Sequence, residues 1–432
     1  MNPDKNKFKL VLTGIFVFFI ILGLVAFSTY KSSTTAANSS AEIKIWGTVD
    51  KTVFDNYINE YQQNNKTLNL KLTYTHKDID TIDGDLVEAI ATGKAPDSIL
   101  IPQTLIKRYL DKVYLIAYPE RTYTDTFVQE AGLYLQPGGV FGLPFFVDPL
   151  VMYWNKDMFS SAGIALPPTK WSDFPLLAGK LSKSDNNANI IQSVASLGEF
   201  KNIDNAKALL STLIMQAGSP IVSPEDGTLK SELNSQSPSD IMVPADSALQ
   251  FFTDYSNPKK SVYSWNSSLP SSKQYFLSEN LAIYFGFASE YQDIKDRNPN
   301  LNFDVAMVPQ ILGVKSKTTF GNIYGFAVLK SSQNVTQTIN LLSMLIGGDS
   351  VSTFLQFENA APARNDIISA GSSDSAKTIF YNSALISKGW IDPDSKKTDQ
   401  VFQDMVENIT TGKMNIQESV LRASTEIDNL LK

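Results

Sequence analysis

The 432-residue chain contains no cysteine and a single histidine, His76. Without cysteine the protein has no disulfide, no thiolate nucleophile, no iron–sulfur cluster and no cysteine-bound zinc. One histidine cannot supply a two-histidine metal site, and a Ser-His-Asp triad would have to use His76 itself. A lipid attached through an N-terminal cysteine is excluded as well. We therefore expect no cofactor and no metal, and we expect His76 to be a surface or loop residue without a catalytic role.

Charged residues are also scarce, at 19%, and the net charge is −7. Residues 1–31 hold four lysines and one aspartate, so the rest of the chain has a net charge of −10. Nucleic-acid binding needs clustered lysine and arginine, and the sequence has no basic stripe. Hydrophobic residues, at 43%, suffice for a folded protein, and the length fits two domains or one large one. We expect a monomeric globular body that does not bind nucleic acid.

A long apolar run, LVLTGIFVFFIILGLVAF, occupies residues 10–27. As a helix it would span about 27 Å, close to the hydrocarbon thickness of a bilayer. Three lysines precede it and keep the N-terminus cytoplasmic. A cleaved signal peptide has a shorter apolar region, and the best cleavage site, at residues 35–37, lies well beyond the run. We favour an uncleaved single-pass anchor in the cell membrane, with residues 1–9 cytoplasmic, 28–41 a flexible tether and the body exported.

The start of the body predicts alternating strands and helices. Strand patterns at 42–46, 68–74 and 98–101 enclose helical patterns over 51–61 and 85–92. This β-α-β-α-β order indicates an α/β fold with a largely parallel sheet. Ligands of such sheets bind beyond the carboxyl ends of the strands, where the loops converge.

A second unit begins near residue 144. Strand patterns lie at 150–154, 190–194, 282–287 and 303–307, and helical patterns lie at 169–181, 203–217, 245–255 and 272–276. Thr169 or Ser172 is the expected N-cap of the first of these helices. Residues 219–244 are rich in Ser, Pro, Asp and Asn and predict an exposed loop.

Five segments occur in an order that resembles a known family. They are ATGKAPDSILI (91–101), VFGLPFFVDPLVMYWNKDMFSSAGIALPPTKWSDF (140–174), FLSENLAIYFGFASEY (276–291), FGNIYGFAVLKSS (320–332) and ENAAPAR (358–364). The chain resembles the extracellular (family 1) solute-binding proteins of ABC importers, in the sugar-binding branch with the maltose- and oligosaccharide-binding proteins. The resemblance spans about residues 42–432. It departs from the family pattern at Glu279–Asn280, where Gly-Lys is expected.

The resemblance implies an α/β fold of the periplasmic-binding-protein type II, a two-lobed clamshell whose lobes are mixed, mostly parallel sheets flanked by helices. Lobe 1 would comprise 42–143 plus 324–365, and lobe 2 would comprise 144–323 plus 366–432. A carbohydrate would be captured between the lobes by hinge closure and delivered to the permease subunits of an ABC transporter, without catalysis.

Sugar binding requires aromatic rings against the apolar faces of the pyranose and polar side chains at its hydroxyls. Trp46 ends the first strand and so points toward the expected cleft. The other candidates follow from strand ends, from loops and from the resemblance. The full set of ligand-binding candidates is Trp46, Asp78, Gln103, Asp148, Ser196, Trp265, Phe285, Phe287, Tyr324, Arg364 and Trp390. Asp148 has an alternative role as a turn residue, and Arg364 as a structural ion-pair partner.

Two other classes of function stay open. A glycoside hydrolase would need two carboxylates about 5–9.5 Å apart on either side of one bond, and the sequence frames no such pair. A membrane-anchored sensor or adhesion protein could use the same two-lobed body. Hydrolysis of a sugar, or the presence of a permease, distinguishes these classes from the importer component.

Overall fold

The fold is taken from a computed structural model that describes residues 42–66, 71–187, 189–225, 227–237, 242–313 and 316–432. Ile43–Lys432 forms one unit. The predicted anchor at 10–27 and the tether at 28–41 lie outside the described residues. Within the described ranges, no helix is both long enough and apolar enough to cross a bilayer.

The strands are short at the edges of the fold and long at its centre. In chain order they are β1 Ile43–Gly47, β2 Leu72–His76, β3 Ser98–Pro102, β4 Val113–Tyr114, β5 Leu135–Gln136, β6 Gly139–Val140, β7 Leu143–Asn155, β8 Lys183–Ser184, β9 Ile190–Ala195, β10 Val222–Glu225, β11 Thr228–Ser231, β12 Leu281–Phe287, β13 Phe303–Ala306, β14 Thr319–Leu329, β15 Ala361–Pro362 and β16 Ser387–Lys388.

The helices alternate with the strands until the C-terminal part, which is mainly helical. They are α1 Lys51–Asn64, α2 Ile82–Ala91, α3 Ile106–Tyr109, α4 Glu120–Thr126, α5 Lys156–Ser161, α6 Phe174–Leu181, α7 Ala206–Ala217, α8 Pro244–Asp254, α9 Ser272–Leu277, α10 Glu290–Arg297, α11 Val335–Leu345, α12 Gly348–Phe354, α13 Asn365–Ala370, α14 Ser375–Leu385, α15 Ser395–Thr410 and α16 Ile416–Leu431. Short 3₁₀ helices cover Gln103–Leu105, Gln129–Tyr134 and Trp171–Asp173.

One continuous sheet connects both halves of the body, in the order β2-β1-β3-β14-β7-β12-β9-β8. Its two central strands, β7 and β14, are the long ones, and they pair with each other. We call lobe 1 the part built on β1, β2 and β3, and lobe 2 the part built on β12 and β9. The two long strands pass from one lobe to the other and are called the crossing strands below.

The prediction of mostly parallel sheets is wrong for the centre of this structure. Parallel pairs occur in β2-β1-β3 of lobe 1, between β12 and β9 in lobe 2, and between β14 and β16. The crossing strands run antiparallel to each other. Strand β14 is also antiparallel to β3, and β7 is antiparallel to β12. The reason is that each crossing strand serves both lobes, so the chain returns through the sheet in the opposite direction.

The crossing strand β7 is formed by an unusually apolar sequence, LPFFVDPLVMYWN, and all thirteen of its residues are buried. A strand covered on both faces needs such a continuous run. The pairing of β14 with β7 shifts register between Tyr324 and Gly325. The buried Tyr134 ring packs against this point, and its hydroxyl donates to the Ile323 carbonyl at 3.0 Å.

Lobe 1 shows how the local sequence produces the helices. Asp50 caps α1 by accepting from the amides of Thr52 and Val53. Phe54, Tyr57, Ile58 and Tyr61 lie at helical spacing on one face, and all are buried. The ring of Tyr57 packs edge-on against Phe354 of α12, 5.5 Å between centroids. The predicted helix over 51–61 is confirmed.

Lobe 2 differs from two local predictions. Residues 219–244 were expected to form a loop, but β10 and β11 form a hairpin there. The Ser231 amide of this hairpin donates to Asp428 of α16 at 2.7 Å and holds the hairpin against that helix. Helix α6 starts at Phe174, after a 3₁₀ turn, and its N-cap is Asp173 rather than Thr169 or Ser172. Helix α15 packs on α16, α7 and α8 and therefore belongs to lobe 2.

Candidate functional site

The carboxyl ends of three strands in lobe 1 converge on one cavity. Gly47 of β1 lies beside His76 of β2 and Leu100 of β3, and the Lys77 amide donates to the Gly47 carbonyl at 2.8 Å. The cavity has a volume of about 420 Å³. It is lined by Thr48, His76, Lys77, Asp78, Ile79, Pro102, Thr104, Asn322, Tyr324 and Ser395.

A second cavity, of about 470 Å³, opens beside the first. Its lining comes mainly from lobe 2: Thr104, Phe200, Lys201, Ile203, Asn205, Ala206, Lys207, Ala208, Phe287, Phe320, Asn322, Trp390, Asp392, Ser395, Asp399 and Gln403. Thr104, Asn322 and Ser395 line both cavities. The two cavities therefore form one site, called the interlobe cleft below, whose volume is in the range of small-molecule sites.

The crossing strand β14 forms the floor of the cleft. Phe320, Asn322 and Tyr324 line it at every second position, because alternate residues of a strand point to the same face. The Tyr324 ring lies parallel to Phe146 of β7, 4.5 Å between centroids. Asn322 is oriented by Gln103, whose Nε2 donates to the Asn322 side-chain oxygen at 3.2 Å and to the Gly321 carbonyl at 3.0 Å.

The lysines of the cleft are all ion-paired within the protein. Lys207 contacts Asp392 at 2.8 Å. Lys201 contacts Glu407 at 3.0 Å, and Lys77 contacts Asp85 at 2.7 Å. Lys77 also lies 4.2 Å from the centroid of the Trp46 ring. The Thr398 hydroxyl donates to the Asp392 carboxylate and lies 2.8 Å and 3.0 Å from its two oxygens. Among the residues that the structure describes, the cleft thus has no unpaired lysine to attract an anionic ligand.

Two carboxylates of the cleft, Asp78 and Asp399, form no ion pair among the described residues. Asp78 is exposed, and its carboxylate accepts from the Asp80 amide at 2.7 Å. The remaining polar lining consists of hydroxyls and amides, among them Thr104, Asn205 and Ser395. These groups hydrogen-bond neutral hydroxyls without a charge mismatch.

Two buried carboxyls, Asp148 and Glu130, and the half-buried Glu358 lie close to the crossing strands. Burial raises the pKa of Asp148 to about 8, although hydrogen bonds from Ser289 oppose the shift. Burial likewise raises the pKa of Glu358 to about 7 and that of Glu130 to about 7. The hydroxyl of Ser387 donates to Glu130 at 2.5 Å, while the other oxygen of Glu130 has no hydrogen-bond partner in the described part of the chain.

Four of the predicted ligand-binding residues line the cleft: Asp78, Phe287, Tyr324 and Trp390. Phe287 and Tyr324 are partly exposed there. Trp390 is only 3% exposed, because its ring lies parallel to Phe402 and has the Lys207 ammonium 5.5 Å from its centroid. It is part of the wall and does not present an open face for stacking.

The other seven predicted residues do not line either cavity. Trp265 has no exposed surface, and its indole N–H donates to Asn202 at 3.1 Å. Phe285 is buried against Trp171. Arg364 forms a two-bond ion pair with Asp366, which matches its alternative structural role. The remaining four are Trp46, Gln103, Asp148 and Ser196, of which the last three are buried.

The sequence analysis missed Thr104, Asn205, Lys207, Asn322, Asp392 and Ser395. Asn322 lies two residues before Tyr324 on the same strand, so strand periodicity alone would have found it. Asp392 follows Trp390 in the same loop, but its pairing with Lys207 joins residues 185 apart in sequence. The described residues hold no group of three or more His, Cys, Asp or Glu that could bind a metal ion.

Two α/β lobes joined by crossing strands, with a polar and aromatic cleft between them, define the class of two-lobed binding proteins. The chain belongs to the bacterial extracellular solute-binding protein family, whose sequence model matches residues 48–345. No curated protein matches it in a sequence comparison.

Two solved structures are similar to this chain in fold. The crystal structure of a cyclo/maltodextrin-binding protein complexed with maltotetraose has 14% sequence identity and a TM-score of 0.73, and the match covers 90% of this chain and 96% of that one. An ABC transporter solute-binding protein from Thermotoga lettingae, bound with α-D-tagatose, has 17% identity and a TM-score of 0.67, with 90% and 99% of the chains covered. At these identities the likeness extends to the fold.

Proposed function

We propose that this protein captures a neutral carbohydrate in the interlobe cleft and delivers it to the permease of an ABC importer. The observation that carries the proposal is the charge state of the cleft. Lys77, Lys201 and Lys207 are all neutralised by carboxylates of the protein itself. A ligand therefore meets hydroxyls, amides and carboxylates beside aromatic rings, which is the set of groups that a neutral polyol requires.

The aromatic residues of the cleft support the same class of ligand. Phe287 comes from lobe 2 and Tyr324 from the crossing strand, and both keep part of their surface exposed. Rings held by different elements can contact opposite ends of a sugar. The two similar structures hold maltotetraose and α-D-tagatose, an oligosaccharide and a monosaccharide, so they favour carbohydrate without selecting a chain length.

The proposal includes the lobe limits that the family resemblance implies, 42–143 plus 324–365 and 144–323 plus 366–432. Supporting them, the register shift of the crossing strands falls at Tyr324 and Gly325, next to one of these limits. A carbohydrate bound to groups of both lobes would stabilise the closed arrangement. The surfaces on either side of the cleft would then dock on the permease.

The proposal also places the body outside the cell on an uncleaved anchor at residues 10–27. An apolar run of 18 residues behind three lysines supports it, and the absence of cysteine leaves no site for a lipid. Expression of the full chain in a bacterium, followed by fractionation and mass determination, tests this point. We expect an intact chain in the membrane fraction, and a released chain that starts near residue 36 would contradict the anchor.

The central experiment is isothermal titration calorimetry of the full chain, in a detergent without a sugar headgroup because maltoside detergents would occupy the cleft. The panel contains neutral mono- and oligosaccharides, sugar acids, sugar phosphates and peptides. We expect saturable binding of a neutral carbohydrate. At a free carbohydrate concentration one hundred times the Kd, binding should raise the free energy of unfolding by about 2.7 kcal/mol. Binding of peptides or anionic sugars alone would overturn the proposal.

Product analysis in the same samples separates binding from catalysis. The carbohydrate recovered after prolonged incubation should be unchanged. Release of shorter sugars would instead identify the protein as a glycoside hydrolase.

A further inference from the structure

An arginine of lobe 1 contacts the cleft-lining segment of lobe 2. Arg108 of α3 donates from Nη2 to the Asp394 carboxylate at 3.1 Å, and its Nη1 lies 3.3 Å from Asp83 of α2. Asp394 directly precedes α15 in lobe 2. Arg108 is therefore held by an acid of its own lobe while it binds an acid of the other.

A second ion pair joins the lobes in the opposite sense of charge. Lys396, in the first turn of α15, lies 3.0 Å from Asp80 in the loop that follows β2. The Asp80 amide donates to Asp78, which lines the cleft. One lobe thus provides the arginine and an aspartate, and the other provides an aspartate and the lysine.

Both interlobe ion pairs connect to residues that face the ligand. The Asp394 amide donates to Asp392 at 3.1 Å, and Asp392 lines the cleft and is paired with Lys207. Ser395, between Asp394 and Lys396, lines both cavities. The segment 392–396 is therefore fixed from lobe 2 by Lys207 and from lobe 1 by Arg108.

We propose that Arg108 and Lys396 are positioning residues that hold the two lobes together before ligand arrives, through the interlobe ion pairs Arg108–Asp394 and Lys396–Asp80. The closed arrangement is then populated in the ligand-free protein, and the cleft is preorganised for its ligand. The ligand-affinity part of this inference rests on the proposed carbohydrate function. The part that concerns lobe closure does not.

If interlobe ion pairs hold the lobes closed, ligand affinity depends on the salt concentration even though the ligand itself is neutral. Salt screens charges, and the Debye length falls from about 10 Å at 0.1 M to about 3 Å at 1 M. A neutral sugar has no net charge to be screened. A loss of affinity at high salt would therefore report on the protein's own ion pairs, of which Lys396–Asp80 is exposed and Arg108–Asp394 is partly buried.

The test uses the absence of cysteine in the full chain. Glu88→Cys on α2 and Gln400→Cys on α15 introduce two exposed spin-label sites, one on each lobe, and electron–electron double resonance measures the distance between them. Asp394→Asn combined with Lys396→Gln removes one charge from each ion pair. Asparagine can still accept from the Lys397 amide, so the cap of α15 is retained.

We expect one short distance in the ligand-free parent and a longer, broader distribution in the double variant. The Kd of the double variant for a neutral sugar should rise about three- to tenfold, and its remaining salt dependence should be small. Arg422→Gln is the matched control, because it breaks an exposed ion pair with Glu426 inside α16 and should change neither quantity.

Identical distance distributions in parent and double variant would overturn the inference. The distance measurement needs no ligand, so it stays decisive even if no carbohydrate binds and the proposed function fails. If a carbohydrate binds but the distances do not differ, the proposed role of the interlobe ion pairs is wrong while the proposed carbohydrate function stands.

Discussion

Asp148 and Ser289 are joined by two hydrogen bonds, since one carboxylate oxygen accepts from the Ser289 amide at 3.0 Å and the other from its hydroxyl at 2.6 Å. Asp148 lies on β7 opposite Asn322 of β14, and Ser289 precedes α10 in lobe 2. The contact therefore anchors a crossing strand to lobe 2, close to the floor of the cleft.

Substitution of Asp148 measures how much these hydrogen bonds contribute to stability. Asp148→Ala removes both acceptors of Ser289, which is exposed and can bond to water instead, so the free energy of unfolding should fall by about 1 kcal/mol. Asp148→Asn keeps one acceptor and a group that can donate to the Ser289 hydroxyl, so its loss should be less than half as large. Urea unfolding of the three proteins measures both values, and equal losses would contradict this account.

Glu130 predicts a dependence of stability on pH. Burial raises its pKa to about 7, whereas an unfolded glutamate titrates near 4.3. The folded state thus holds a proton that the unfolded state releases. The stability linked to this proton is complete below about pH 4.3 and is lost as the pH rises through about 7.

Glu130→Gln removes that titration while retaining an acceptor for Ser387. The parent should lose stability between pH 5 and pH 8, and the variant should lose about 1–3 kcal/mol less over the same interval. Asp148 and Glu358 have raised pKa values as well, so part of the dependence of stability on pH remains in the variant. Denaturant unfolding at the two pH values measures the difference, and Glu88→Gln, at an exposed carboxyl, should keep the parent's slope. An unchanged slope in Glu130→Gln would exclude Glu130 as its source.

Phe287 is the aromatic residue of lobe 2 with an open surface in the cleft. Phe287→Leu keeps an apolar side chain but removes the ring, and contacts of aromatic faces contribute about 0.5–1.5 kcal/mol beyond area burial. The Kd for the bound carbohydrate should therefore rise about three- to tenfold, with little change in stability. Tyr114→Leu replaces a ring that is 44% exposed on β4 and serves as the control. Equal Kd values for parent and Phe287→Leu would remove Phe287 from the site.

The sequence predicted the parts of the fold that depend on local pattern. The helix over Phe54–Tyr61 and the strand β12 follow from periodicity and burial within one segment. The hairpin of β10 and β11 was missed because its position depends on Asp428 of α16, almost 200 residues away along the chain. The antiparallel crossing strands depend on which strands meet at the centre, which no single segment specifies.

The site was predicted in part for the same physical reason. Phe287 and Tyr324 follow from strand ends and strand crossings, and the structure places both in the cleft. Trp265 and Trp390 had the same loop context in the sequence. Only tertiary packing separates them, because Asn202 and Tyr275 enclose Trp265 while Trp390 reaches the wall of the cleft.

Gly325 gives the sharpest test of how the crossing strands are packed. A Cβ added there would overlap the ring of Tyr134 and lie 2.9 Å from its hydroxyl oxygen. Tyr134 cannot withdraw, since it is buried and its hydroxyl donates to the Ile323 carbonyl. Gly325→Ala should therefore lower the free energy of unfolding by about 3 kcal/mol.

The same substitution at Gly179 provides the opposite expectation. Gly179 lies on the exposed side of α6 with no atom near the added Cβ, and alanine is favoured over glycine in a helix by about 0.5–1 kcal/mol. Gly179→Ala should leave the stability unchanged or raise it slightly. Urea unfolding of both variants compares them directly. Equal stability of Gly325→Ala and Gly179→Ala would contradict the close packing of Tyr134 against the register shift of β14. The added methyl group could then be accommodated only by a different arrangement of the two crossing strands.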